Sequence, residues 1–494
     1  MATRTVIAAP HELPPHTSGS ARPSEHPWAL ALAVAIPLAA LYLIVSPPAG
    51  DLAAAAYRSD LFARVGFTTW DTGWYAAHGH WLPGYSLLSP ALGALLGVRV
   101  LLVLSAVAAS VLFALIARRA FDPVAARIAA VVFALGFCVG LLSGRVPYDL
   151  GFAIGLGSVL ALLRGRVLLA LALAAVTSVA SPVAGAFLAL AGLADALTSL
   201  ATRKRGSPRG HETRPSDESG RTSWADGRRG LALAAATLTP IVVLSLAYPE
   251  GGWEPFAASA FWPALAGVVL IALLLPQGPL TPRARLVVRV GAASYALALA
   301  ASFMLHTPMG GNAARLGPVL AAPLLAGVLW NHRRPVLLLL APLLLYWQLV
   351  TPIDDLTALA GDPSAGAPYY TPLLSELRGL LADRPIGGAP SIVEVPLTES
   401  HREAAYLAGN DGISLARGWE RQLDTRYGAI FYRPTLTASA YHAWLVENRV
   451  AYVALPDVPL DQAGLLEGKL VARGLPYLRE VWHSDHWRLY QVMV

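Results

Sequence analysis

Residues 50–90 read GDLAAAAYRSDLFARVGFTTWDTGWYAAHGHWLPGYSLLSP. An apolar run over 28–47 ends just before them, and another over 98–117 begins just after. Each run matches the roughly 20 apolar residues that a helix needs to cross a bilayer. The stretch between them carries three aspartates, two histidines and six Trp or Tyr side chains within reach of the membrane. Carboxylates beside a bilayer are costly unless they are paired or used. The fold therefore turns on whether this loop belongs to a many-span membrane domain.

Working outward, the spans recur. Apolar runs lie near 28–47, 98–117, 123–143, 149–163, 167–181, 183–200, 230–248, 257–276, 286–306, 316–331 and 335–350. The expected fold is a polytopic α-helical membrane protein of about 11 transmembrane helices, followed by a soluble α/β domain. Composition agrees: the chain is 55% hydrophobic and 14% charged, against about 25% charged residues in soluble proteins. A water-soluble globule is excluded for the whole chain. The single cysteine, Cys138, excludes an intrachain disulfide.

Arginines mark alternate loops: Arg118 and Arg119, Arg164 and Arg166, the basic segment 202–229, Arg283 and Arg285, Arg333 and Arg334. Cytoplasmic loops collect such residues, so residues 1–27 read as a disordered cytoplasmic N-terminus. An odd number of spans then sets the C-terminal part outside, in a multi-pass cell-membrane protein. Residues 351–494 hold 12 Lys and Arg against 17 Asp and Glu, a net of −5. With +6 for the chain, the first 350 residues carry +11. The basic balance thus reports orientation, and a nucleic-acid partner is not indicated.

The division expected is 28–350 for the membrane domain, with 48–97 as its first outer loop, and 351–494 for an extracytoplasmic α/β domain. Helical spacing recurs at 371–382, 438–448 and 461–473, and strand-like runs at 391–395, 450–455 and 487–492.

Within the loop, residues 51–65 have the spacing of a helix lying along the interface. Asp51 sits at its start, where a carboxylate favours the helix N-terminus. Asp60 and Arg64 are four apart and form a natural pair. Trp70, Trp74, Tyr75, Trp81 and Tyr85 stand as interface aromatics do. Glycosyl transfer asks for a carboxylate to activate an acceptor hydroxyl. Asp51, Asp60 and Asp71 are the catalytic candidates. Tyr75, His78, His80 and Tyr85 join the substrate-binding ones. His78 and His80 lack a matched third ligand for a metal.

This segment resembles the first luminal or periplasmic loop of the GT-C glycosyltransferases, most closely that of oligosaccharyltransferase catalytic subunits. The residues that carry the resemblance are Asp51, Gly66–Phe67, Trp70–Asp71, Trp74–Tyr75 and Pro83–Gly84–Tyr85. It implies a GT-C-like membrane domain, a polyprenyl-phosphate-linked sugar donor and an active-site role for Asp51. The tail has no W-W-D motif, so peptide N-glycosylation is not implied.

Four more candidates face the same side. Arg145 and Asp149 either pair to close a helix end, or Asp149 stands beside the donor phosphate or a divalent metal, Mg or Mn. Arg315, with Asn312 beside it in HTPMGGNAARLGP, suits a phosphate clamp, since guanidinium offers paired donors. Glu254 reads as solvated. In the tail, His401, Glu403, Arg417, Trp419, Glu420, Arg421 and Asp424 read as a solvated face or an acceptor-binding one.

The function expected is a membrane glycosyltransferase. It moves a sugar from a polyprenyl-phosphate-linked donor to an extracytoplasmic glycan, lipid or protein by an inverting, general-base mechanism. The alternatives are a multi-span transporter and an inactive GT-C-like envelope assembly factor.

Overall fold

The computed structural model describes residues 26–81, 85–205, 217–249, 251–275, 280–381, 391–409 and 412–493. The N-terminal segment 1–25 and Pro83–Gly84 lie outside the described residues. Thirteen helices build the first part: α1 Pro27–Val45, α2 Leu52–Val65, α3 Ser89–Leu96, α4 Val98–Ala120, α5 Pro123–Val139, α6 Val146–Leu163, α7 Val167–Ala180, α8 Pro182–Arg205, α9 Asp217–Ala247, α10 Ala258–Leu274, α11 Pro282–Met304, α12 Leu316–Leu329 and α13 Arg334–Ala358. Among the described residues, nine segments are long and apolar enough to span a bilayer, and α7 and α10 are shorter apolar helices. The eleven runs expected from the sequence therefore all form helices.

Local chemistry sets the ends. Asp122 accepts from the backbone N–H groups of Val124 and Ala125 at 3.1 Å, and Pro123 occupies the first turn of α5. Small residues then let the spans approach. Ala106, Ala109, Ala126 and Ala129 are fully buried, and Phe113 stacks on Phe133 at 4.1 Å.

Two boundaries differ from expectation. Helix α13 runs through residue 350 to Ala358, and its buried face, Leu337, Leu344, Gln348 and Pro352, carries across that boundary. Helices α8 and α9 reach into the basic segment 202–229, leaving 206–216 as its undescribed middle.

The second part is a five-stranded mixed sheet ordered β4-β3-β5-β7-β6, with β3 Ser391–Glu394, β4 Ile413–Leu415, β5 Val450–Pro456, β6 Leu478–His483 and β7 Trp487–Val492. Strands β4, β3 and β5 are parallel, and β7 is antiparallel to both β5 and β6. Helices α14 Ala367–Leu381, α15 Glu403–Tyr406, α16 Arg421–Tyr427, α17 Ala438–Glu447 and α18 Leu465–Ala472 complete the domain.

The loop at 66–81 joins the two parts. Its short ribbon pairs β1 Trp70–Asp71 with β2 His80–Trp81. Residues 73–76 then add to the free edge of β4: Leu415 N–H donates to Gly73 O at 2.8 Å and Ala76 N–H to Leu415 O at 3.0 Å. Trp74 and Tyr75 are fully buried in one core with Tyr370, Leu407, Leu415 and Trp487. Trp74 Nε1 donates to Ala404 O at 2.8 Å. These two aromatics are therefore packing anchors for the sheet domain, not interface side chains.

Candidate functional site

The site begins where α1 ends. Ser46 takes a left-handed conformation and Pro47–Pro48 stop the helix, so the chain turns before α2 begins at Leu52. Asp51 stands at that start, and its side chain caps no backbone N–H. The carboxylate is left to other partners.

A second loop comes to it through Gly144. This residue has φ +73°, and a Cβ there would lie 2.7 Å from Leu52 Cγ and 2.9 Å from Ala49 Cβ. Only glycine permits both the turn and the approach. The next residue, Arg145, then reaches Asp51: its Nε lies 3.4 Å from Asp51 Oδ2. Its Nη2 lies 3.7 Å from Asp355 Oδ2 on the last turns of α13, and Ser143 Oγ donates to that same Asp355 oxygen at 2.5 Å.

A third loop arrives through Gly310, at φ +38°, where a Cβ would lie 1.9 Å from the carbonyl oxygen of Glu254. Glu254 N–H donates to Thr307 O at 3.0 Å. This packing aims the 3-10 turn Gly310–Arg315, and Arg315 Nη2 lies 3.7 Å from Asp51 Oδ2. One aspartate thus stands between two guanidiniums.

The surroundings are equally polar. Asp149, buried on the first turn of α6, lies within electrostatic reach of Arg145, Arg315 and Asp51. Arg315 donates to the Tyr85 hydroxyl, whose pKa burial raises and Arg315 opposes. Arg315 also lies 5.7 Å over the Tyr148 ring. Burial pushes the Glu254 carboxyl up to about 7, against the pull of Arg315 and Arg421. Asn312 is buried beside Arg315 in the same turn. Asp51, Arg145, Asp149, Arg315 and Tyr85 therefore converge.

Other candidates do not join them. Asp60 is nine residues along α2 from Asp51, about two and a half turns away and so on the opposite face, and is exposed beside Arg64. Asp71 is buried in a knot of its own: Tyr57 OH donates to it at 2.7 Å, Gly73 N–H at 3.0 Å, and His80 Nε2 lies 3.6 Å away. Burial alone raises its pKa, and those hydrogen bonds outweigh burial and lower it. Tyr75 OH lies 2.8 Å from both Gly418 O and Glu420 O, which share its one proton. His78 stacks on Tyr427 at 4.5 Å and bonds Asn448 Oδ1 at 3.1 Å. Tyr75 and His78 thus tie the loop to the sheet domain, while Asp71 and His80 tie it to α2.

Sequence reading missed Asp355 and Glu254. Asp355 fell beyond the boundary drawn at 350, although it lies seven residues after Gln348, on the same face of α13. Glu254 looked solvated, yet the aromatic neighbours Trp253 and Phe256 were a signal that its loop is packed.

The tail residues also differ from expectation. Arg417 and Asp424 are buried in the sheet domain, because they satisfy each other there. Arg421 bonds Asp461 bidentately at 2.9 and 2.8 Å and lies 5.2 Å over Trp419. His401 stacks on the Trp419 ring at 3.4 Å. This corner abuts the start of α2, where Arg402 Nη2 donates to Ala49 O at 3.4 Å and Arg58 pairs with Glu420.

For a divalent metal the fit is poor. Among the described residues no three His, Cys, Asp or Glu side chains are grouped to hold one. Guanidiniums stand among these carboxylates instead.

No family model matches the chain, and no curated protein matches it. Its structure is similar to the oligosaccharyltransferase of Archaeoglobus fulgidus tethered to an acceptor peptide containing the NVT sequon, at TM-score 0.45 and 12% identity over 88% of this chain and 69% of that one. The similarity extends to AglB of the same organism with an inhibitory peptide and a dolichol-phosphate, at TM-score 0.44, 12% identity, 88% and 69%. For the apo form of the first enzyme the figures are 0.43, 12%, 87% and 69%.

Proposed function

We propose that this chain is a membrane glycosyltransferase that takes a sugar from a polyprenyl-phosphate-linked donor and places it on an extracytoplasmic glycan, lipid or protein. In this reading the N-terminus is cytoplasmic and the sheet domain extracytoplasmic. The observation that supports it is Asp51 suspended between Arg145 and Arg315 at one end of the helical bundle.

The distances matter. Tight charge-assisted N–H···O bonds run to about 2.7–2.9 Å. At 3.4 and 3.7 Å, Asp51 is attracted by both guanidiniums without being locked by either. An incoming donor phosphate competes for those guanidiniums and, on binding them, leaves the carboxylate free. The acceptor hydroxyl then gives its proton to Asp51 as its oxygen bonds the anomeric carbon. The bond from that carbon to the phosphate oxygen breaks, and its electron pair leaves with the phosphate. Arg315 and Arg145 neutralise the charge that develops there. Attack from the face opposite the leaving phosphate inverts the anomeric centre.

The test is release of polyprenyl phosphate from a panel of polyprenyl-phosphate-linked sugars by the full chain reconstituted in vesicles. Asp51→Asn should lower turnover by at least about 100-fold, the scale of a lost general base, with thermal stability unchanged. Turnover equal to the wild type in that variant removes Asp51 from the mechanism.

A further inference from the structure

At the opposite end of the bundle, four segments leave an apolar groove of about 380 Å³. Phe121 at the end of α4, Leu275 after α10, Ala284 and Val288 on the first turns of α11, and Leu325 on α12 wall it. Among the described residues its single charged lining group is Arg283. Helix α11 has 23 residues and so spans about 34 Å. Its start lies at this groove, and its end leads into the turn that carries Arg315. The groove is therefore about a membrane thickness from Asp51.

The lining selects a ligand class. A volume of this size falls in the range of about 300–1,000 Å³ usual for small-ligand sites. Yet the walls offer almost no directional polarity, since the Thr281 hydroxyl is already used as the N-cap of α11 on Ala284 N–H. Such a surface recognises hydrocarbon. Arg283 supplies a charge at one end. It donates to Asp195 Oδ1 at 3.1 Å and Ser199 Oγ at 3.2 Å, and its side chain stays 38% exposed. Arg118 and Arg119 are exposed at the same end of the bundle, while Asp122 there is spent on capping α5. An apolar trough with a cationic rim, in a chain that spans a bilayer, complements an acyl chain that ends in an anionic headgroup.

We propose that this groove holds one acyl chain of an anionic phospholipid from the arginine-rich side of the membrane, with the lipid phosphate at Arg283. The lipid fills the gap between α11 and its neighbours α10 and α12. It stabilises that packing and takes no part in the chemistry at Asp51.

The experiment follows thermal unfolding of the full chain in a neutral detergent. It titrates phosphatidylglycerol, phosphatidylcholine with the same chains, and oleate. Phosphatidylglycerol should raise Tm saturably, phosphatidylcholine should not, and oleate, with one chain and one carboxylate, should give a smaller shift at the same concentration. Ala284→Trp fills the groove and should abolish the phosphatidylglycerol shift with the lipid-free Tm kept. Val288→Phe serves the same end if the first variant misfolds. Arg283→Gln should weaken the apparent lipid affinity about tenfold. Equal shifts with phosphatidylcholine or oleate overturn the anionic-phospholipid assignment. A phosphatidylglycerol shift that survives a folded groove-filling variant overturns the location.

Discussion

The protein contains two carboxylate–arginine assemblies made of the same groups and arranged in opposite ways. In the sheet domain, Arg417 is almost wholly buried, donates twice to Asp424 at 2.8 Å, reaches Glu467 at 3.1 Å and lies 3.6 Å from Glu394. Tyr441 and Tyr432 bond the same carboxylates at 2.8 and 2.6 Å. At the end of the membrane bundle, Asp51, Arg145, Arg315 and Asp355 are 19–36% exposed, and their ion pairs stretch over 3.4–3.7 Å. Short, closed bonds with no exposure describe a scaffold. Long, open pairs that share one aspartate suit the proposed role, groups held ready for another ion. The difference separates structure from site more sharply than residue type does.

The largest effect expected breaks the sealed assembly. Arg417→Met removes the cation that faces three buried carboxylates and should cost about 3–5 kcal/mol. Chemical unfolding of the full chain, followed by proteolysis of the sheet domain, measures it. A loss below about 1 kcal/mol contradicts a structural role. The next effect depends on pH. Burial, and Glu467 beside it, push the Glu394 carboxyl well above the usual carboxylate range. Its raised folded pKa makes a stabilising contribution that is complete below the unfolded value, about 4.3. That contribution fades as pH rises through the folded pKa. Glu394→Gln keeps the neutral form at every pH. Its stability advantage over the wild type should therefore widen above about pH 5, by up to about 1.4 kcal/mol per pH unit. A difference that stays flat with pH shows that Glu394 holds no proton.

The helical frame was legible because each span repeats one signal, about 20 apolar residues between arginine-marked loops. Strands β3, β5 and β7 were legible as β-branched and aromatic runs. Strand β4 has three residues, and its edge is completed by Gly73–Ala76, about 340 positions away; no local pattern encodes that pairing. The same reason divides the loop candidates. Asp51, Asp60 and Asp71 are alike as sequence, three carboxylates near a bilayer. They differ in what tertiary packing brings to them: Arg145 and Arg315 to the first, solvent and Arg64 to the second, Tyr57 and His80 to the third. Arg145 and Arg315 stood out as cations at helix ends, but Asp355 did not, because a helix was expected to stop before it.

Asp355 gives the smallest expected effect and the finest test of the contrast. It touches Arg145 and Ser143, and no step of the proposed chemistry rests on it directly. Its pair with Arg145 is 3.7 Å long and about a third exposed. Pairs of that kind contribute about 0–1 kcal/mol to stability. Asp355→Asn should therefore leave Tm almost unchanged. What it removes is the charge that draws one arm of Arg145 away from Asp51. With that arm released, Arg145 has more freedom, and donor binding should weaken about threefold to tenfold in KM with kcat nearly constant, the pattern of an altered binding contact. If Asp355 acts through Arg145, the effect must vanish in an Arg145→Gln background, since neighbours that share a partner are not additive. Additive losses in the double variant make Asp355 an independent contact. Loss of Tm instead of KM makes the open assembly a scaffold after all, like the one around Arg417.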